Sequence, residues 1–334
     1  MFFDTVDDNS RVNILRDVFK SLVNVNNFVC IVAGRNTHEL YDWLADSEAW
    51  KSNIERIDLK PLEEKYGKEY LQKKQDILGV ELDPTLTRNL LLLASGRPIL
   101  MDLAVDWLAR DIPLEWLRDK EISELEKDLS SPNRENKIRE FEYHLIRHIG
   151  RGRRELDWLF LIMARIYPLN VSMIEQIRKV DHATAEQLFT EAQSYTFVKR
   201  LPDGMIKLHD VMQEMITDRL WPEIDPDEDR RKHDSQLAVN CYEMRIREIE
   251  VELEEDILDT SIRKEKLLQE LASARGKYLQ HLFYIHFDKA TRRFKEMFES
   301  DTRFGRISSR QVLLEAVEPY INNLPFDDKY HIRT

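Results

Sequence analysis

The chain has 334 residues, of which 42% are apolar and 34% are charged, and its formal net charge is −12 at neutral pH. This length suits two or three small domains, and 9 glycines and 11 prolines are too few for a turn-rich β protein, so a mostly helical protein is predicted. An acidic chain gains little from counterion release on DNA or RNA, which argues against a nucleic-acid partner.

The sequence also bears on the compartment. It contains no apolar run of membrane-spanning length, and its N-terminus does not resemble a signal peptide. The two cysteines, Cys30 and Cys241, lie far apart and lack metal-ligand spacing. We therefore expect a cytoplasmic protein with two reduced structural thiols and no membrane partner.

Residues 1–60 carry the pattern of an α/β crossover. The apolar run Met1–Phe3 is followed by a predicted amphipathic helix over 11–24 and by the β-branched run Asn27–Gly34, which is typical of a buried parallel strand. A further strand is predicted over Ile54–Leu59. One crossover unit is not a whole sheet, so we expect the remaining strands to precede Met1 and the chain to be part of a longer protein.

Helical patterns follow Pro61. Helices are predicted over 62–78, 84–94 and from Pro98 to Leu108, with Gly96-Arg97-Pro98 as the punctuation between the last two. Pro98 suits the first turn of a helix, where its missing N–H has no partner to lose. The charged stretch 120–136 is the predicted domain boundary.

The next segment predicts a winged helix. Helices are expected over 154–166, 171–179 and 182–194, and a hairpin over 197–208 turns at Pro202-Asp203-Gly204. A further helix over 210–220 closes the domain, and Asp210 with Gln213 fits a capping box at its start.

The chain beyond Glu223 is acidic and then helical. Residues 240–275 have apolar side chains every three or four positions, and 276–299 are predicted to form two packed helices. Their expected seam is Leu279, Leu282, Phe283, Ala290, Phe294 and Phe298. The pattern suits the first unit of a helical repeat, although one unit does not establish a period.

Four positions could carry chemistry, and each has a plainer explanation. Asp4 ends the first strand and could hold the water shell of a phosphate-bound Mg²⁺, although such an aspartate is more often a turn residue. Arg35 follows a predicted strand at the sheet edge where ligands bind, and the alternative is a surface arginine. Gly96 to Pro98 alone is helix punctuation, and His209 alone is a structural boundary residue.

The order of these motifs resembles one family, the STAND-type (NB-ARC-like) P-loop NTPases. Phe3-Asp4-Thr5-Val6-Asp7 resembles their Walker B strand, and Val32-Ala33-Gly34-Arg35 resembles their sensor strand. Leu59-Lys60-Pro61-Leu62 is similar to the segment that enters their small helical domain. Ser95 to Leu100 resembles the Gly-x-Pro motif that packs on adenine. Leu208-His209-Asp210 is similar to the Met-His-Asp motif, whose histidine approaches the β-phosphate of ADP.

The resemblance implies a fold that is mainly α with a partial α/β nucleotide-binding domain. Its domains would be the partial P-loop domain (1–60), a small helical domain (61–130), a winged helix (135–222) and a tetratricopeptide-like helical tail (235–330).

The resemblance also implies a signalling ATPase that is closed with ADP, opens with ATP and forms a homo-oligomer when a signal arrives. In this family pattern Asp4, Asp7 and Arg35 would be catalytic, with Asp4 holding Mg²⁺ through water. Gly96, Pro98 and His209 would contact ATP or ADP, and the tail would bind a protein partner.

The sequence departs from the family in one decisive way, since it has no Gly-x-x-x-x-Gly-Lys-Ser/Thr loop. Arg97 and Leu208 also differ from the commonest pattern. We therefore expect a fragment or a degenerate form that hydrolyses no ATP and binds no cofactor tightly by itself.

Two other functions stay open. The chain could be a non-enzymatic helical adaptor that binds a protein. A winged-helix DNA reader is less favoured, because 182–195 carries Glu186 and Glu191 and neither Lys nor Arg.

Overall fold

The structure, a computed structural model, describes residues 2–3, 16, 19–20, 31–32, 38–48, 50–51, 54–57, 60–118, 125, 127, 132, 134–150, 154–201, 204–255 and 261–323. The architecture is mainly helical, as the composition predicts. The chain divides into two compact units, Met1–Lys60 and Pro61–Thr334. This division coincides with the first boundary expected from the sequence.

The first unit contains a parallel strand pair. Strand β1 (Phe2–Phe3) pairs with β2 (Ile31–Val32), with Phe2 opposite Ile31 and Phe3 opposite Val32. Parallel neighbours require a crossover between them, and Arg16, Phe19 and Lys20 in the intervening segment are helical. The pairing of the two predicted strands is therefore confirmed.

Helix α1 (His38–Ala45) follows β2 in this unit and was not predicted. A small core forms from Phe19, Leu40 and Leu44, and Ile54 packs against it. The strand predicted over Ile54–Leu59 is wrong for residues 54–57, which have no regular structure, and residues 58–59 lie outside the described part. Ile54 packs against the small core, but Ile57 is 75% exposed, so this apolar segment buries little of its surface.

The second unit begins with three helices that match the prediction closely. They are α2 (Glu64–Leu78), α3 (Pro84–Ala94) and α4 (Pro98–Leu108), and the short α5 (Glu115–Arg118) follows them. The Asp83 carboxylate caps α3 by accepting a hydrogen bond of 2.8 Å from the Leu86 N–H. Pro98 occupies the first turn of α4, as predicted.

Four helices and a hairpin come next. The helices are α6 (Arg134–Gly150), α7 (Glu155–Met163), α8 (Val171–Arg178) and α9 (His182–Ala192), and the strands are β3 (Val198–Arg200) and β4 (Ile206–Leu208). The strands are antiparallel, which confirms the predicted hairpin, while its turn residues Pro202 and Asp203 lie outside the described part. Leu169 forms an isolated antiparallel bridge with Ile206, so a third segment of the chain borders this small sheet.

The helix predicted over 210–220 is present but irregular. It comprises α10 (Asp210–Met215), a π segment (Ile216–Leu220) and α11 (Trp221–Ile224). The prediction that Asp210 caps it is wrong. His209 occupies the N-cap position, while the Asp210 carboxylate lies 3.4 Å from the Nζ atoms of both Lys199 and Lys207. Two lysines of the hairpin therefore engage the group that was expected to cap the helix.

The tail consists of α12 (Asp229–Glu255), α13 (Ser261–Ile285), α14 (Phe287–Arg303) and α15 (Ile307–Val317), with a 3-10 turn over Glu318–Asn323. The predicted seam residues are buried in it, apart from the partly buried Phe298. The helix boundaries differ, since α13 begins well before residue 276. One continuous core links α2 to α15, so the segments predicted as separate domains share their packing.

Candidate functional site

The sequence points to six site residues, and the structure describes three of them. Gly96, Pro98 and His209 belong to the second unit. Asp4, Asp7 and Arg35 lie outside the described residues, so the catalytic and Mg²⁺-binding roles expected of them stay predictions.

The turn between α3 and α4 requires glycine at position 96. Ser95 and Gly96 both have positive φ angles, of 50° and 72°. The Leu62 N–H donates a hydrogen bond of 2.9 Å to the Gly96 carbonyl. A Cβ atom on Gly96 would lie 2.4 Å from the Leu62 oxygen and 2.7 Å from its nitrogen. The two backbones therefore approach too closely for any other residue.

A hollow of about 400 Å³ lies beside this turn, and we call it the Gly96 hollow. Leu91, Leu92 and Met101 supply apolar lining, Arg88 and Arg134 supply positive charge, and Glu63 and Glu64 supply negative charge. The Arg134 Nη2 donates a hydrogen bond of 2.7 Å to the Ser95 hydroxyl. The apolar part could hold a flat heteroaromatic group, and the two arginines could pair with an anion that it carries.

Arg97, the middle residue of the Gly-x-Pro motif, turns away from this hollow to a buried acid. Its Nη1 lies 2.6 Å from Oε1 of Glu142, a residue of α6 that is only 3% exposed. Arg219 of the π segment pairs with the other carboxylate oxygen. We call this cluster the Glu142 joint, and it connects the α3–α4 turn to the segment that follows α10.

Sequence reasoning treated Arg97 only as a departure from a motif and missed Glu142. The pairing spans 45 positions in the sequence, and no periodic pattern connects them. The available signal was that Arg97 departs from the commonest pattern of the motif, which leaves its charge to be explained by a partner elsewhere.

His209 is fixed in place by its backbone. Its N–H donates a hydrogen bond of 2.7 Å to the Phe197 carbonyl, and its own carbonyl accepts one of 3.0 Å from Gln213. The Nδ1 atom lies 3.4 Å from the Val211 N–H, for which it acts as acceptor. In the neutral ring the proton then resides on Nε2, which makes that atom a hydrogen-bond donor.

A second connection runs from α4 to the hairpin. The buried Asp106 accepts hydrogen bonds from the Thr196 N–H at 2.9 Å and from its hydroxyl at 2.7 Å. Burial raises the pKa of Asp106, and the bonds from Thr196 and the charge of Arg110 oppose that shift. Phe197 follows Thr196, and its carbonyl accepts the hydrogen bond from the His209 N–H. Helix α4 begins at the Gly-x-Pro turn and carries Asp106 near its end, so these hydrogen bonds connect that turn to His209.

Comparison of the chain with family models, with curated proteins and with solved structures gives no match. In the part of the chain that the structure describes, no group of three or more His, Cys, Asp or Glu residues could hold a metal ion. None of the described helices is both long enough and apolar enough to cross a membrane. Cys241 is buried, which raises the pKa of its thiol to about 11.

Proposed function

We propose that the chain is part of, or a degenerate form of, a nucleotide-switched signalling ATPase of the STAND type. The observation that carries this proposal is the Gly96 turn. Its left-handed backbone and its contact with Leu62 admit only glycine, and it borders a hollow of mixed lining that contains two arginines and two glutamates. A conformation this demanding at a turn that faces a hollow favours a binding role over helix punctuation.

The architecture supports the same proposal. A parallel strand pair suits a partial α/β nucleotide domain, and the helices α2 to α5 suit the small helical domain. The order α7, Leu169 bridge, α8, α9 and hairpin is that of a winged helix. The four tail helices suit a tetratricopeptide-like sensor that binds a protein partner.

In the proposed switch, ADP holds the closed state and ATP with Mg²⁺ favours an open, homo-oligomeric state in the cytoplasm. Gly96 and Pro98 would pack on the adenine, and the Nε2–H of His209 would donate to the β-phosphate. Asp4 would hold Mg²⁺ through water, Asp7 would belong to the same catalytic motif, and Arg35 would contact the γ-phosphate. A contact made in only one state shifts the equilibrium by its differential affinity.

The experiment that tests this proposal is calorimetric titration of the chain with adenosine, ADP and ATP. We expect no ATPase activity and weak binding, because the phosphate loop is missing. Gly96→Ala should abolish adenosine binding, whereas Gly79→Ala should not, since Gly79 has a φ of 68° but open space around it. His209→Ala should weaken ADP and leave adenosine unchanged. Equal effects on adenosine and ADP would contradict the role given to His209.

A helical adaptor is the second candidate, and one feature of the tail favours it. A hollow of about 280 Å³ between α12, α13 and α14 is lined by Glu243, Arg247, Glu250, Arg275, Arg293 and Glu296. Mixed charges along a groove suit a polar peptide. Pull-down with a tail variant, Arg247→Glu, tests it, because an adaptor loses its partner while nucleotide binding stays unchanged.

A DNA-binding function is not supported by the surface of α9. Its exposed positions include Glu186, Gln187, Thr190 and Glu191, so the helix that would enter a major groove presents acids and neither lysine nor arginine. We therefore propose no nucleic-acid partner.

A further inference from the structure

A separate hollow of about 240 Å³ lies between α7 and α8 on one side and the tail helix α12 on the other. Part of its lining is apolar and comes from all three helices, through Ile162, Ile177 and Leu237. It shares no lining residue with the Gly96 hollow. Its volume is below the range of about 300–1,000 Å³ that is usual for drug-sized ligands, so it suits a compact group.

Arg230 of α12 lines this hollow and lies close to two aromatic rings. Its guanidinium carbon is 3.4 Å from the ring centroid of Trp158 and 5.3 Å from that of Trp221. It forms no ion pair with any residue in the described part of the chain, whereas the adjacent Arg231 pairs with Asp225 at 3.1 Å. Contact with aromatic rings restricts a guanidinium, and its planar fork then loses less entropy when it binds a carboxylate.

Asp234 lies one helical turn further along α12 and also lines the hollow. It is 5% exposed, and its Oδ2 atom is enclosed without a hydrogen-bond partner among the described residues. Burial raises the pKa of Asp234, and the charges of Arg230, Arg165 and His233 oppose that shift. A protonated carboxyl is a hydrogen-bond donor, so it can add a second donor beside Arg230.

Two further charged groups complete the surroundings. Arg178 of α8 lines the hollow and pairs with Glu155, and its enclosed Nε atom has no partner in the described part of the chain. Asp225, which precedes α12, is occupied by Arg231 and by two backbone N–H groups. The hollow therefore offers donors from Arg230 and Arg178 and a carboxyl at Asp234, in an apolar setting.

We infer that this hollow binds the carboxylate of a compact organic acid with a branched apolar chain. The Arg230 guanidinium would pair with the carboxylate through two hydrogen bonds, and the Asp234 carboxyl would donate a third. Ile162, Ile177 and Leu237 would contact the alkyl branch. The same chemistry is offered by a free acid and by the C-terminal leucine or valine of a peptide. Either would connect α7 and α8 to the tail helix α12, and this inference does not depend on the proposed nucleotide switch.

The test is calorimetric titration of the full chain with isovalerate, isovaleramide and isopentylamine, which share one carbon skeleton. We expect only isovalerate to bind at millimolar concentration, because only it presents an anion. Binding of the amine in its place would overturn the inference, since Asp234 would then be the anchor as an anion. Failure of all three to bind would overturn it as well.

Variants separate binding from folding. Arg230→Gln should weaken isovalerate at least about tenfold, and Lys232→Gln, an exposed neighbour on α12, should leave the affinity unchanged. The melting temperature of each unliganded variant shows whether it is folded. Arg230→Lys keeps the charge and loses the planar edge, so an intermediate affinity is expected. Wild-type affinity in Arg230→Gln would contradict the site.

The two sources of the carboxylate and the role of Asp234 are distinguished by two more measurements. A short peptide ending in leucine with a free carboxylate, compared with its amidated form, shows whether a peptide terminus fits or only a free acid. Isovalerate should bind more tightly as pH falls in the wild type and in His233→Gln, but not in Asp234→Asn, whose amide donates at every pH. An unchanged pH dependence in Asp234→Asn would remove Asp234 from the site.

Discussion

Two buried carboxylates in the second unit stand in opposite surroundings. Glu142 lies between Arg97 and Arg219, which come from two separate segments and pair with its two oxygens. Asp234 lies near Arg230 and Arg165, yet its Oδ2 atom has no hydrogen-bond partner in the described structure. Each acid has one enclosed oxygen without a hydrogen bond in the described structure, but Glu142 forms ion pairs through both of its oxygens, whereas Asp234 forms none among the described residues.

The difference teaches how each carboxylate acts on the stability of the fold. Removing one member of a buried, paired cluster leaves uncompensated charge, which is strongly destabilising. Removing the charge of a buried, poorly paired acid relieves a desolvation cost instead. Glu142 should therefore behave as a structural connection and Asp234 as a group retained at the expense of stability.

The largest effect is expected at the Glu142 joint. Glu142→Ala should lower the free energy of unfolding by about 3–5 kcal/mol, because Arg97 and Arg219 lose their shared partner. Urea denaturation of this variant beside Glu140→Ala, whose side chain is exposed, measures the difference. A loss equal to that of the exposed control would show that the joint contributes nothing.

The Gly96 turn lies next to this joint and offers the second test. Gly96→Ala should cost about 3 kcal/mol, since it adds a clash with Leu62 to the strain of a positive φ. Gly79→Ala carries the strain alone and should cost about 1 kcal/mol. Thermal unfolding of both variants measures how much more stability Gly96→Ala loses than Gly79→Ala. Equal losses would mean that the backbone near Leu62 yields easily and that the close approach is not required.

The sequence predicted the helices of the second unit well, and the reason is local. Pro84 and Pro98 mark helix starts, and apolar spacing of 3.6 residues marks the buried faces of α3 and α4. The hairpin was equally accessible, because Asp203-Gly204 is a strong turn signal. In the first unit, by contrast, Ile54–Leu59 has strand-like residues, yet residues 54–57 pair with neither strand that the structure describes there.

The site residues divide in the same way. Gly96 and His209 were predicted as site residues because their motifs are contiguous in sequence, and their binding roles stay predictions. Glu142, Arg219, Arg230 and Asp234 were missed because their roles arise only when distant helices pack. Asp210 was predicted as a cap from its spacing to Gln213. Its pairing with Lys199 could not be predicted in this way, because it depends on the register of the hairpin. Local signals therefore predicted the elements, whereas long-range pairing decided what the charges do.

The neighbourhood of Asp234 should also carry a pH dependence. His281 contacts the Ser235 hydroxyl at 3.2 Å, and burial together with Arg165 and Lys277 lowers the pKa of the imidazole to about 3. Between pH 6.5 and 3 the unfolded histidine binds a proton that the folded one does not, so stability falls as pH falls. The loss should reach about 3 kcal/mol by pH 4. His281→Gln should remove this component, whereas His286→Gln, an exposed change, should keep it.

The smallest effect has the opposite sign and tests the comparison most directly. The folded pKa of Asp234 is raised, so as pH rises above the unfolded value the unfolded carboxyl loses its proton first. Stability from this group is therefore present at low pH and is lost as pH rises through the folded pKa. Asp234→Asn should stabilise the unliganded chain by about 1 kcal/mol at pH 8 and leave it unchanged near pH 3.

The control for this variant is Asp227→Asn, an exposed change just before α12, which should shift stability little at either pH. Chemical denaturation at the two pH values gives the change in the free energy of unfolding for both variants at each pH. If Asp234→Asn destabilised the chain at pH 8, the carboxylate would be paired in solution like Glu142, and the contrast between the two acids would fail. A gain at pH 8 together with lost pH dependence of isovalerate binding would assign Asp234 to ligand recognition, because the same group would then oppose folding and favour the ligand.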